Sequence, residues 1–274
     1  MQHRRIVSHL SSVPAATDNY RMTFPSHWDD GTDPSSPDHQ VHWYDERTAI
    51  IRQSLRTNFE GPFLYLLLGE ERALLLDTGT GHVPLRPLIE ELAGERELVI
   101  AHTHGHGDHV GGDGEFDKPV GRSAEEVAAY FGFADWPNGV VQFDLGGRVL
   151  DALAIPGHHA SHLAVYDRDT RLLLSGDSLY PGRLYVFDWP AFRASVARLA
   201  AFVADGNPVE WVLGAHIELT NTPGQDYEMG DARHPDEHEL QLHPDVLTEL
   251  AEVVAEAGEA PVRIERDHFI VYPV

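Results

Sequence analysis

His104-Gly105-His106-Gly107-Asp108-His109 is the stretch on which the reading of this chain turns. Three histidines and an aspartate stand almost side by side, and glycines separate the first of them. Neutral imidazoles and carboxylates are the donors that Zn²⁺ and other borderline divalent cations take. The glycines let the backbone turn tightly, so that His104 and His106 can face one cation while Asp108 and His109 face another. The alternative is a histidine-rich surface loop that binds metal only by accident, and further matching donors downstream argue against it. The preceding residues, Glu97-Leu-Val-Ile-Ala101, read as a buried strand. Ligands just beyond the end of a parallel strand occupy the usual site position of an α/β sheet.

Working outward, Leu74-Leu-Leu-Asp77-Thr-Gly79 lies upstream, and Ile155-Pro-Gly-His158, Ser175-Gly-Asp177 and Leu213-Gly-Ala-His216 lie downstream. Together with the central stretch these resemble, in order, the motifs of the metallo-β-lactamase superfamily, whose HxHxDH signature is the most specific of them. The resemblance runs from about residue 64 to residue 216, most of the chain. It implies the α/β class and a four-layer αββα sandwich. It also implies that Asp77 supports the metal loop without binding metal. His216 follows Gly-Ala where the family more often has Gly-His-Gly, which leaves a supporting role behind the ligands open for it.

The donor chemistry is coherent in itself. We assign His104, His106 and His158 to one metal and Asp108, His109 and His216 to the other. Two close cations need charge compensation, and a bridging carboxylate supplies it. Asp177, at the end of the apolar run 172–175, is the candidate bridge; a strand-end aspartate capping a turn is its bland alternative. Water held between two such cations is acidified toward neutral pKa. The resulting metal-bound hydroxide would attack a carbonyl carbon, and Asp108 could pass a proton to the leaving group. Two divalent ions are expected, Zn²⁺ first, with Mn, Fe or Co accepted by the same donors.

The expected function is a dinuclear metal-dependent hydrolase of a small ester, thioester or lactone, with glyoxalase II-like and lactonase-like enzymes as the nearest comparisons. The alternative is an oxidoreductase resembling the mononuclear iron persulfide dioxygenases, which would leave several donors idle. A non-enzymatic metal-binding or interaction protein on the same scaffold is a third reading, and no lost donor suggests it. Fold and ligands do not by themselves choose a substrate.

Composition narrows the field. The chain has 274 residues and no cysteine, which excludes disulfides, thiolate nucleophiles and cysteine metal ligands. Its net charge is −24, with 44 acidic against 20 basic residues, and Lys118 is the only lysine. Such a surface repels phosphate backbones and anionic membranes, so no nucleic-acid or membrane partner is expected. A solubility or high-salt adaptation accounts for the charge equally well. The start, Met1-Gln-His-Arg-Arg-Ile-Val-Ser8-His9, superficially resembles a signal peptide, but Ser8 and His9 interrupt its apolar stretch, and a cytoplasmic location is expected. A small-molecule substrate and a possible homodimer complete the expectations.

Along the chain, residues 1–47 read as an irregular arm, a linker or a flap, with Trp28, Trp43 and Tyr44 as anchoring aromatics; residues 48–274 read as one domain. Strand signals cover residues 49–57, Phe63–Leu68, 73–77, 140–143, 148–155, 162–166, 172–175, 210–213 and 269–272. A helix is expected over residues 83–93, and Ser123-Ala-Glu-Glu126 is a capping-box start for another. Phe192, Val196, Leu199 and Val203 form a helical stripe, as do Val246, Leu247, Leu250, Val253 and Val254. Tyr180 follows Asp177 at the offset where acyl-homoserine lactonases carry a tyrosine on the reacting carbonyl. Its phenol is either an oxyanion donor or a core side chain. His159 is expected to point away from the site, His162 to support it or touch substrate. His234, His238 and His243 are expected in solvent in an acidic stretch, and the long loop 218–239 is expected to border the pocket.

Overall fold

The computed structural model describes residues 23–274. The expectations for the beginning of the arm and for the apolar stretch near the amino terminus lie outside these residues. Five strands form the first sheet in chain order: β1 (His39–Asp45), β2 (Thr48–Gln53), β3 (Phe63–Leu68), β4 (Arg72–Leu76) and β5 (Glu97–Ala101). Helix α1 (Arg86–Ala93) crosses from β4 to β5, which pair in parallel. Two short helices follow, α2 (Gly107–Val110) and α3 (Ala124–Phe131). The second sheet uses β6 (Val140–Asp144), β7 (Val149–Ala154), β8 (Leu163–Asp167), β9 (Leu172–Gly176), β11 (Trp211–Gly214) and β12 (Gln241–Leu242), in the spatial order β12-β11-β9-β8-β7-β6. A small third sheet orders β10 (Arg183–Val186), β14 (Ile270–Pro273) and β13 (Ile264–Glu265). Helices α4 (Trp189–Ala204) and α5 (Pro244–Ala257) pack on one another.

The layers follow from strand alternation. Successive side chains of a strand face opposite ways, and a strand covered on both faces must be apolar throughout. In β3, Phe63, Tyr65 and Leu67 enter the core between the two sheets, while Leu64, Leu66 and Leu68 enter the core under α1. In β9, Leu172 and Leu174 face the first sheet and Leu173 faces α4 and α5. Three apolar cores therefore separate four layers, helix, sheet, sheet, helix, which is the expected αββα sandwich. Both helical stripes point into the outer core, where Phe192, Val196, Leu199, Val246, Leu247 and Leu250 are buried. Ser123 caps α3 by accepting from the Glu126 N–H at 3.2 Å.

Away from the metal loop, one buried cation ties the sheets. Arg148, just before β7, meets Asp167 at 2.6 Å and donates to Thr48 Oγ1 and to the carbonyls of Arg47 and Leu68. Both charged side chains are fully enclosed.

The arm differs from its expectation. His39–Asp45 is strand β1, paired antiparallel with β2, and Trp28 stands edge-on to Phe63 at 5.0 Å in the central core. Gly31 and Asp30 are bonded to Ser54 and Leu55 at the end of β2. The aromatics expected to anchor the arm explain this, since Trp28 and Tyr44 gain more from burial than a linker would allow. No helix of the described residues is long and apolar enough to cross a membrane.

Candidate metal centre

The donors gather where the strands of both sheets end. β5 delivers His102, Thr103 and His104, and His106 opens α2, which carries Asp108 and His109 on its single turn. From the second sheet come His158 after β7, Asp177 directly after β9 and His216 after β11. Two groups result, His104 with His106 and His158, and Asp108 with His109, Asp177 and His216. Each offers ligand atoms within 4.8 Å of one another.

In the first group, His104 Nε2, His106 Nδ1 and His158 Nε2 lie 3.0–3.1 Å apart. Three nitrogens bound to one tetrahedral ion by bonds of about 2.0–2.1 Å sit only slightly farther apart, about 3.3 Å. In the second group, Asp108 Oδ2 is 3.2 Å from His109 Nε2 and 3.3 Å from His216 Nε2. Asp177 stands between the groups. Its Oδ2 faces the first, 3.4 Å from His158 Nε2, and its Oδ1 faces the second, 3.4 Å from His109 Nε2 and 3.5 Å from His216 Nε2. His109 Nε2 and Asp177 Oδ1 are buried with no hydrogen-bond partner among the described residues. Buried polar atoms are rarely left so, and these two point at the same spot. The residues fit a pair of divalent cations.

Three of the imidazoles are turned by their other nitrogen. Nδ1 of His158 lies 2.8 Å from the Tyr185 carbonyl, Nδ1 of His216 2.9 Å from the Glu60 carbonyl, and Nδ1 of His109 2.9 Å from Asp77 Oδ2. A donated N–H there leaves Nε2 free to bind a cation. Asp77 also accepts from the Thr103 N–H at 2.7 Å and from its hydroxyl at 2.8 Å, while its own backbone sits at φ 70°. That strained aspartate supports the loop from behind. Gly176 is required next to Asp177: at φ 52°, a Cβ there would stand 2.5 Å from His162 Nε2 and 2.8 Å from Thr103 Cβ.

The charges are arranged to match. Burial, reinforced by the neighbouring histidines, holds His104 well below the ordinary histidine value, and burial lowers His158 too. In the second group burial opposes charge, yet the carboxylates of Asp108, Asp177 and Asp77 hold His109 well above its usual value. Asp177 and Asp108 together raise His216 to about 10 against the same opposition. Burial also resists ionisation of Asp177 and Asp108, but the positive histidines keep both well below the usual carboxylate range. The first group is thus a set of neutral nitrogens, while the second pairs two carboxylates with two imidazoles whose protons a bound cation would replace.

Other expected residues fall differently. Tyr180 is fully buried, with its ring 5.6 Å from that of His216. Its one hydroxyl proton is directed to the Arg183 carbonyl and Glu218, so the oxyanion-donor role does not fit this placement. His162 is enclosed behind Asp177, accepting from its backbone N–H at 3.3 Å and meeting Ser178 Oγ at 3.1 Å. His159, expected to point away, lies beside His106 with ring centroids 4.9 Å apart. His234 is buried rather than solvated, stacked on Tyr227 at 4.0 Å and 3.0 Å from Glu237. His238 is half-buried against His268, and only His243 lies exposed, as the cap of α5. The carbonyls of Tyr185 and Glu60 carry no side-chain signal that a sequence reading could find.

Comparison with known proteins agrees with this geometry. A family model described as the metallo-beta-lactamase superfamily matches residues 58–246. The acyl-coenzyme A thioesterase MBLAC2 of Homo sapiens is 30% identical over 230 residues, covering 65% of this chain and 78% of that protein. A hydroxyacylglutathione hydrolase of Aeromonas hydrophila is 29% identical over 204 residues, covering 70% and 74%. Among solved structures, a metallo-beta-lactamase from Pontibacter korlensis superposes with a TM-score of 0.56 at 17% identity, covering 79% of this chain and 99% of its own, a likeness of fold. With the ordered His/Asp motifs, the four layers and the family match in agreement, the chain belongs to the metallo-β-lactamase superfamily and is a hydrolase of it.

Proposed function

We propose that the protein is a dinuclear metal hydrolase that cleaves a thioester or a closely related small ester. The observation that carries this is Asp177, whose two oxygens face two separate donor groups. The names of the two relatives both denote hydrolysis of an acyl conjugate of a thiol, which favours a thioester over a lactone. Bound there, two divalent cations would supply Lewis acidity and a water of lowered pKa.

The chain's own residues do the rest. Asp77 and Thr103 hold the loop and the His109 ring in place. Asp108 is the more exposed of the two site carboxylates, 21% against 8% for Asp177. It is therefore the one placed to accept the proton released by the attacking water and to pass it to a departing thiolate or alkoxide. Tyr180 lies beside His216 with its hydroxyl turned to the Arg183 carbonyl and Glu218. The persulfide dioxygenase reading would leave the second donor group without a use, and no observation favours it.

Elemental mass spectrometry of the purified protein, paired with a thioester assay on the same sample, tests the proposal. Two divalent cations per chain, falling in Asp177→Asn together with the hydrolytic rate, are expected. A single redox-active iron, untouched by His216→Ala, would overturn it.

A further inference from the structure

Between His216 and the loop of residues 218–239 lies a cleft of about 150 Å³. Phe59, 42% exposed, and Met229, 71% exposed, line it. Large apolar side chains left open beside a cleft are candidates to contact an apolar part of a ligand. Glu60, Glu228 and Asp231 share the lining, and Glu60 and Glu228 have no ion-pair partner among the described residues. Among the described residues Arg183 is the one guanidinium on the wall, and it is already engaged. Its Nη1 lies 2.6 Å from Asp226 Oδ2 and its Nη2 3.2 Å from Glu218 Oε1. Away from His216, an anionic group entering the cleft would lose water and meet Glu228 and Asp231, and no described guanidinium there is left unpaired to compensate it.

The wall is held from two sides. Arg183 reaches it from β10 and also donates to the Tyr227 carbonyl at 2.8 Å. From β2, Arg52 pairs with Glu237 through both carboxylate oxygens, each side chain only 2% exposed. Glu237 in turn holds His234, on which Tyr227 stacks. A wall pinned this way keeps one shape, as a selective pocket requires.

We propose that this cleft is the acyl-selecting pocket of the site, accepting an uncharged acyl group and rejecting one that ends in a carboxylate. This rests on the hydrolase reading above, and it adds the substrate class.

The metal-loaded protein is tested on two thioesters of N-acetylcysteamine, hexanoyl and 5-carboxypentanoyl. The hexanoyl ester is expected to have a kcat/KM at least about tenfold higher. The double variant Glu228→Gln/Asp231→Asn should narrow that ratio. Equal rates in the parent protein, or a ratio unmoved in the variant, would overturn the assignment. Binding is read separately by ligand-observed NMR on cation-stripped protein, with hexanamide and 5-carboxypentanamide as probes. Hexanamide alone should bind, and Met229→Asp should weaken it; no binding, or equal binding of both, counts against the pocket. Hexanamide binding without hydrolysis of either ester would support the pocket and overturn the hydrolase reading instead.

Discussion

At the scale of single residues, the site depends on a few positions where no substitute fits. Gly176 combines φ 52° with a space already filled by His162 and Thr103. Gly176→Ala is expected to cost about 1–3 kcal/mol and to shift Asp177, lowering both the urea midpoint and the bound cation. An unchanged midpoint would show that the neighbours can give way. Asp77 acts through others. It accepts from Thr103 twice and orients His109, and although burial resists its ionisation, His109 and His102 hold its carboxyl at about 2. Asp77→Asn keeps the volume but loses an acceptor, and cation affinity should fall about 10–100-fold. Competition with a chromophoric chelator measures this, with circular dichroism confirming an intact fold.

At the scale of elements, the buried Arg148–Asp167 pair decides how the two sheets meet. Arg148 leaves the start of β7 and bonds to the backbone of the first sheet, while Asp167 closes β8. Removing one partner strands the other charge, so Asp167→Asn should cost about 3–5 kcal/mol. Burial raises the pKa of Asp167, but the hydrogen bonds and charge of Arg148 outweigh it and leave it lowered. The stability it contributes is present above the unfolded carboxyl value of about 3.9 and is lost as pH falls through the lower folded value. Denaturant melts across pH 2.5–7, roughly that window, should show parent and variant far apart at neutral pH and converging in acid. A constant gap would remove the pair from the linkage. The same scale explains β1. Its residues carry mixed polarity because an edge strand is only half covered, and a partly buried strand without a clean alternation, beside prolines, reads like a loop.

At the scale of the whole molecule, the donor set joins halves that are otherwise separate layers. His104, His106, Asp108 and His109 come from the first sheet, and His158, Asp177 and His216 from the second. Cations held there would cross-link the two sheets at one end, as Arg148 does by ion pair elsewhere. Binding to the folded state alone stabilises it by about 2.7 kcal/mol at a hundredfold excess over Kd. A chain of this size gains about 2–4 °C per kcal/mol. Exhaustive chelation should therefore lower Tm by about 5 °C or more, and restored Zn²⁺ should recover it. An unchanged Tm in scanning calorimetry would mean that the sheets hold without the centre.

The sequence alone determined the donors, the doubly buried strands and the two helical stripes, because donor type and apolar period are local properties. Glycine spacing at 104–109 and the full apolar runs at Phe63–Leu68 and Leu172–Leu174 carry that information without any partner. Only the tertiary structure decided which atoms face one another. The carbonyls that turn His158 and His216, the Glu218 that draws away the Tyr180 hydroxyl, and the Arg52–Glu237 pair that sets the pocket wall all join segments distant in the chain. A backbone carbonyl is the same in every residue, and a buried ion pair is chosen by packing rather than by period. Such contacts exist only once the four layers have closed.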